Sequence, residues 1–165
     1  MDELLEELTK REMANRTMEH EDPVIQRALK LLGQAVNPVQ VVEPQDYNSI
    51  NLPGALHDQA SKAVGFRVWR GEQPDEPIFV NKKSTVYDKA SNPRSGNLEA
   101  LLLASTLAHE QIHDTERGEV GEGAALRKQA DFLRSKLKTI RTPDERRSLE
   151  HYLRVIDERA NQRLK

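Results

Sequence analysis

The chain has 165 residues, 32% of them charged, a net charge of −2 and no cysteine. A single domain is expected at this length, and the lack of cysteine excludes disulfides, thiolate metal ligands and a cysteine nucleophile. The near balance of charge gives no electrostatic reason to expect a nucleic acid or an anionic membrane as a partner.

The first 21 residues are rich in charge and carry few apolar side chains. We predict an arm or marginal helix over residues 1–21 and a single domain over residues 22–165. The acidic start of the chain lacks the apolar stretch of a secretory signal, and no apolar run is long enough to span a bilayer. We therefore expect a cytoplasmic protein without a membrane partner, of unknown oligomeric state.

The next segment combines one helix with a set of short strands. Asp22 and Pro23 predict the start of the helix and Gly33 its end. A short extended piece is expected over residues 39–42. Alternating side chains over residues 64–70, 77–80 and 84–87 predict a small antiparallel sheet, with Pro77 at an edge or entry position.

The remainder of the chain is predicted to be helical. Residues 98–114 are apolar nearly all round, which is typical of a buried helix. A second helix is expected to run to about residue 138, and Thr142-Pro143 predicts the start of a third. The expected fold is therefore α+β, mostly helical, with a small antiparallel sheet preceding the buried helix.

The buried helix contains the motif His109-Glu110-Gln111-Ile112-His113, an HExxH sequence. Residues four apart lie on the same face of a helix, so both imidazoles can bind one Zn²⁺. Glu110 is offset around the helix and can act as the general base that takes a proton from an activated water. The alternative is a pair of ordinary hydrogen-bonded histidines near a helix end, where positive charge is mildly favoured.

A third zinc ligand is expected because a catalytic zinc usually has three protein ligands and one open position. We predict Glu122 in this role, with Glu119 as the alternative on nearly the same helix face. Glu122 heads an apolar stripe formed by Ala125, Leu126, Gln129, Phe132 and Leu133. It could instead complement the dipole of its own helix, and Gln129 either orients a ligand or is an ordinary buried amide.

Residues 101–113, Leu-Leu-Leu-Ala-Ser-Thr-Leu-Ala-His-Glu-Gln-Ile-His, resemble the active-site helix of zincin metallopeptidases. Glu122-Gly123-Ala124-Ala125, followed by Gln129, resembles the glutamate-bearing helix of small gluzincin-type members. The resemblance spans residues 64–140 and implies a zincin-like fold with Zn²⁺ as cofactor. It also implies a peptide or protein substrate held along an edge strand, at residues 77–80 or 84–87.

By the matching positions, the resemblance makes His109, His113 and Glu122 the zinc ligands and Glu110 the general base. Eight residues separate His113 from Glu122, fewer than in the larger thermolysin-like enzymes. Where the metzincin pattern has glycine and histidine, this chain has Glu116 and Glu119.

Three functions remain open from the sequence. The first is a zinc-dependent metallopeptidase, a hydrolase that cleaves peptide bonds. The second is a non-catalytic, zinc-stabilised helical domain that binds a partner, and the third is a metal-free helical adaptor that uses the C-terminal helix. We rank them in this order; Tyr87, His151 and Tyr152 are the candidates for stabilising an oxyanion in the first.

Overall fold

The computed structural model describes residues 16–68, 76–92, 94, 96–112 and 118–163, and for residues 118–120 the backbone alone. The helices in these ranges are α1 (Pro23–Leu32), α2 (His57–Lys62), α3 (Thr85–Ala90), α4 (Asn97–Ile112), α5 (Gly118–Lys136) and α6 (Pro143–Arg163). The strands are β1 (Val39–Val42), β2 (Gly65–Phe66) and β3 (Ile78–Asn81), and short 3₁₀ helices lie at Pro44–Asp46, Gly54–Leu56 and Leu137–Thr139. The predicted α+β fold, mostly helical with a small sheet before the long helices, is confirmed.

Helix α1 begins and ends where the sequence predicts. Asp22 accepts hydrogen bonds at Oδ1 from the backbone N–H groups of Val24 (2.8 Å) and Ile25 (3.4 Å), which satisfies two donors of the first turn. Gly33 ends the helix with a φ of 71°, a left-handed conformation that glycine adopts without steric cost.

The sheet is mixed, so the prediction of an antiparallel sheet is wrong in that respect. The central strand β3 pairs in parallel with β1 and antiparallel with β2. A parallel pair needs a long crossover, which here runs from the end of β1 through α2 and β2. Alternation of side chains does not distinguish the two directions of pairing, and Pro77 stands just before the central strand, at an entry position.

The third predicted strand, over residues 84–87, is wrong, because these residues begin helix α3. Ser84 Oγ accepts a hydrogen bond from the backbone N–H of Tyr87 at 3.1 Å and so caps the helix. The cap outweighs the preference of Thr85, Val86 and Tyr87 for an extended conformation, on which the strand prediction was based. The short strand predicted over residues 39–42 is confirmed as β1.

Helix α4 lies between two hydrophobic clusters, as its all-round apolar sequence predicts. On one side Leu103, Ala104 and Leu107 pack with α1, the sheet and α3. On the other side Leu101 packs with α5 and α6, whose buried positions include Leu133 and Leu149. Helix α4 therefore packs mainly against α1 and α3 on one side and α5 on the other, and its last turn lies between the sheet and α5.

Helices α5 and α6 form the C-terminal layer. The predicted stripe on α5 is buried at Ala125, Leu126, Gln129 and Leu133, and the near-heptad positions of α6 are buried at Leu149, Leu153, Ile156 and Ala160. Within the described ranges, no helix combines the length and apolar character needed to cross a membrane. Of the predicted N-terminal arm, only residues 16–21 are described; Thr17 there forms an isolated antiparallel bridge with Val36.

Candidate metal centre

His109 lies in the last turn of α4 with its ring directed at α5. Its side chain is 12% exposed, so both ring nitrogens meet protein groups. Nδ1 lies 3.1 Å from Gln129 Oε1, and Nε2 lies 3.2 Å from Glu122 Oε1. The structure thus brings two predicted ligands and the predicted orienting residue together, from two helices.

A chain of hydrogen bonds sets the tautomer of His109. Ser105 Oγ donates its only proton to the carbonyl of Leu102 at 2.7 Å, so it must accept from Gln129 Nε2 at 3.1 Å. The amide of Gln129 therefore turns its oxygen towards the His109 ring, and Nδ1 must carry the proton that is donated to it. In a neutral ring the other nitrogen, Nε2, is then an acceptor.

This tautomer places two acceptors face to face. In this tautomer Nε2 of His109 is an acceptor and lies 3.2 Å from a carboxylate oxygen of Glu122. Two acceptors at that distance repel each other unless a proton or a cation lies between them. The arrangement is therefore suited either to a protonated imidazole paired with Glu122 or to a metal ion bound by both groups.

The donor set fits zinc in both chemistry and spacing. Imidazole nitrogen and carboxylate oxygen are ordinary zinc ligands with bonds of about 2.0–2.2 Å, so two tetrahedral ligands lie about 3.3–3.5 Å apart. The His109–Glu122 separation of 3.2 Å is about 0.1 Å shorter than the lower end of that range. A zinc-binding histidine commonly donates its other ring N–H to an oxygen acceptor, and Gln129 Oε1 lies 3.1 Å from Nδ1 of His109.

Glu122 reaches His109 because α5 packs closely on α4 near its first turns. Gly121, Gly123 and Ala125, which flank it, are buried, whereas Glu122 itself keeps 30% of its side chain exposed. Small residues allow the two helix backbones to approach each other. Glu122 therefore lies at the open rim of the site, while Gln129, 6% exposed, lies at its base.

Glu110 follows His109 in the last turn of α4 and is half-buried. Its backbone carbonyl accepts a hydrogen bond from Arg67 Nη1 at 3.2 Å. His113 and the side chain of Glu119 lie outside the described part of the chain. Among the residues whose side chains are described, no group of three or more His, Asp or Glu is arranged to hold a metal ion.

The oxyanion candidates do not join this site in the structure. Tyr87 donates a hydrogen bond to Asp22 Oδ2 at 2.5 Å, beside the start of α1. Burial raises the pKa of the Tyr87 phenol well above its usual range, and the hydrogen bond and negative charge of Asp22 raise it further. His151 and Tyr152 lie on α6, where both are exposed.

The sequence reading missed Ser105, Arg67 and Asn37 as members or neighbours of the site. Ser105 is fully buried on α4, and a hydroxyl at an apolar helix position is a signal that a polar partner lies nearby. Asn37 and Arg67 belong to segments with no motif, and they reach α4 through contacts that span more than forty residues. No local sequence pattern predicts their contacts with α4.

Comparison of the chain with models of protein families, with curated proteins and with solved structures found no match. Function must therefore be inferred from the geometry of the residues themselves.

Proposed function

We propose that this protein is a zinc-dependent metallopeptidase, with His109, His113 and Glu122 as the zinc ligands and Glu110 as the general base. The observation that carries the proposal is the 3.2 Å approach of His109 Nε2 to Glu122 Oε1 across two helices. A neutral imidazole whose Nδ1 proton is donated to Gln129 offers Nε2 as a ligand, 3.2 Å from that carboxylate.

The residues of the proposed site have separate roles in peptide hydrolysis. Bound zinc supplies a Lewis acid that polarises the peptide carbonyl and makes a water molecule easier to deprotonate. Glu110 takes the proton from the attacking water and passes it to the leaving amine. Gln129 and Ser105 hold the ring of His109 in one orientation, and Glu122 adds a negative charge that strengthens cation binding.

Three further properties belong to the proposal. The resemblance to zincin metallopeptidases implies a peptide or protein substrate, and we propose a cytoplasmic location. A nucleic-acid partner is not proposed, since the net charge of −2 favours neither nucleic acid nor an anionic surface.

Zinc content tests the ligand assignment. Protein purified without a histidine tag should contain one equivalent of zinc by elemental analysis, and His109→Ala, His113→Ala and Glu122→Ala should each lower the bound amount sharply. Glu119→Ala should keep it. Loss of zinc in Glu119→Ala with retention in Glu122→Ala would move the third ligand to residue 119, and a wild type that neither contains nor takes up zinc would overturn the proposal.

A second candidate, a non-catalytic zinc-stabilised domain, is favoured by the same pair of residues. His109 and Glu122 belong to α4 and α5, so a metal held between them would also join the two helices. Peptide hydrolysis by the zinc-loaded protein distinguishes the two, because this second function requires zinc but no turnover.

A further inference from the structure

A continuous set of polar contacts holds the last turn of α4 on the side away from α5. Arg67 donates from Nη1 to the carbonyl of Glu110 at 3.2 Å and from Nη2 to the carbonyl of Glu76 at 2.7 Å. One guanidinium therefore joins the backbone of the proposed general base to the residue that leads into β3.

The next residue of α4, Gln111, is held by a reciprocal pair of hydrogen bonds with Asn37. The backbone N–H of Asn37 donates to Gln111 Oε1 at 2.7 Å, and Gln111 Nε2 donates to Asn37 Oδ1 at 3.2 Å. Asn37 Nδ2 also donates to the carbonyl of Glu76 at 3.1 Å, so the contacts of Gln111 and those of Arg67 meet at one oxygen. We call the side chains of Arg67, Asn37 and Gln111 the α4 clamp.

The clamp is anchored on the sheet rather than on a loose segment. Asn37 and Glu76 each stand two residues before a strand, and these strands, β1 and β3, run in parallel. Ile78 donates its N–H to the carbonyl of Pro38 at 2.9 Å, which ties the two entry segments together. Asn37 is 2% exposed and Gln111 9% exposed, so their hydrogen bonds are shielded from competing water.

Gly65 brings Arg67 to the helix end. A Cβ atom at this position would lie 2.9 Å from Thr106 Cγ2 on α4 and 3.3 Å from the carbonyl of Phe79. A Cβ atom at residue 65 would therefore require the Thr106 side chain to shift, and glycine lets β2 lie against α4 without that shift. Two residues later in the chain, Arg67 reaches the carbonyl of Glu110.

The physical effect of the clamp is to fix the part of α4 that carries the motif. Arg67 donates from a charged group to the backbone of Glu110, and Gln111 joins the neighbouring position of α4 to the segment that leads into β1.

We propose that Arg67, Asn37 and Gln111 are positioning residues, which hold the last turn of α4 so that Glu110 keeps its place for catalysis. The catalytic half of this inference rests on the proposed function. Misplacement of a catalytic group by about 1 Å can lower a rate by about 100-fold. Loss of one clamp contact should therefore reduce turnover while leaving substrate binding largely intact.

The test compares Arg67→Met and Gln111→Met with Arg127→Met, a matched control on α5. Arg127 is exposed and donates to Asn161, at a distance from the clamp. In the two clamp variants, amide hydrogen exchange of residues 109–112 should be at least about tenfold faster, and kcat should fall about 10- to 100-fold with KM nearly unchanged. Arg67→Lys, which keeps a donor, should recover part of both effects, and Arg127→Met should match the wild type.

The outcomes separate the clamp from the proposed function. If hydrogen exchange of residues 109–112 is unchanged in both clamp variants, the clamp does not stabilise this part of α4. If exchange is faster but kcat is unchanged, or if only KM changes, the clamp residues do not position Glu110 for catalysis. If the wild type proves inactive, the peptidase proposal and the catalytic role of the clamp fail together, whereas hydrogen exchange still shows whether the clamp stabilises α4.

Discussion

Two polar clusters in this molecule contain a carboxylate beside a ring, and they differ in how their hydrogen-bond donors and acceptors are paired. At the start of α1, Asp22 Oδ1 accepts from two backbone N–H groups and Oδ2 accepts from the hydroxyl of Tyr87. Every contact there pairs a donor with an acceptor. At the end of α4, the carboxylate of Glu122 lies 3.2 Å from Nε2 of His109, which is an acceptor when the ring is neutral.

The difference separates a structural cluster from a candidate functional one. A cluster that matches donors with acceptors stabilises the fold by itself. A cluster in which two acceptors face each other reaches its lowest energy only when a proton or a cation lies between them. Variants at the Asp22 cluster should therefore change stability and leave metal binding unaltered, whereas variants at the His109 cluster should weaken metal binding.

The largest expected effect comes from Glu110→Gln, which tests whether the His109 cluster serves catalysis. The amide cannot take a proton from water, so kcat/KM for peptide hydrolysis should fall about 10²- to 10⁴-fold while zinc content stays at the wild-type level. Steady-state kinetics and elemental analysis on one preparation measure both. Equal turnover in Glu110→Gln and wild type would favour the non-catalytic zinc domain.

The next effect is on stability, at the Asp22 cluster. Asp22→Ala removes the cap of α1 and leaves the buried hydroxyl of Tyr87 without its acceptor, so unfolding should become easier by about 2–4 kcal/mol. Chemical denaturation measures this loss.

Asp58→Ala is the matched control, because the carboxylate of Asp58 is exposed and pairs with the exposed Lys62 at 3.2 Å. Its effect should stay within about 0.5 kcal/mol. Zinc affinity should be unchanged in both variants. A fall in zinc affinity for Asp22→Ala would contradict the separation of the two clusters.

The third effect concerns the ring of His109. Gln129→Met keeps the volume of the buried side chain but removes the oxygen that accepts from Nδ1, so zinc should bind about 10- to 100-fold more weakly. Competition with a chelator measures the affinity. Gln40→Met, at an exposed position of β1, should bind zinc like the wild type, and equal affinity in Gln129→Met would show that the amide does not orient the ring.

The parts of the fold that the sequence predicted depend on neighbouring residues. Asp22, Pro23 and Gly33 set the ends of α1 through contacts within the helix itself, and the apolar spacing of α4 and α6 follows directly from helix geometry. The wrong prediction of a strand at residues 84–87 also has a local cause. A serine cap and an extended run were both available there, and the cap prevailed.

The parts that the sequence could not predict depend on distant pairs. The parallel pairing of β1 with β3 joins residues 39 positions apart, and the contact of Asn37 with Gln111 joins residues 74 positions apart. Helix periodicity did predict that Glu122 and Gln129 share the face of α5 turned to the core. It contains no information on the ring orientation of His109, which Ser105 and Gln129 set together.

The smallest effect is a pH dependence confined to the Asp22 cluster. The pKa of Tyr87 is raised in the folded protein by burial and by Asp22, whereas a tyrosine in the unfolded chain titrates near pH 10. The stability that the neutral phenol contributes is therefore complete below about pH 10 and is lost as the pH rises above it. Tyr87→Phe lacks this titration, so above pH 10 its unfolding free energy should fall less steeply than that of the wild type, by about 1.4 kcal/mol per pH unit.

Denaturation at several alkaline pH values measures the two slopes. Tyr152→Phe is the control: burial raises the pKa of Tyr152 and Arg159 lowers it, and the residue is 37% exposed, so its removal should change the slope less. Identical slopes for wild type and Tyr87→Phe would mean that the phenol does not keep its proton through Asp22. In that case the Asp22 cluster would not be fully paired, and the contrast between it and the acceptors of His109 and Glu122 would no longer hold.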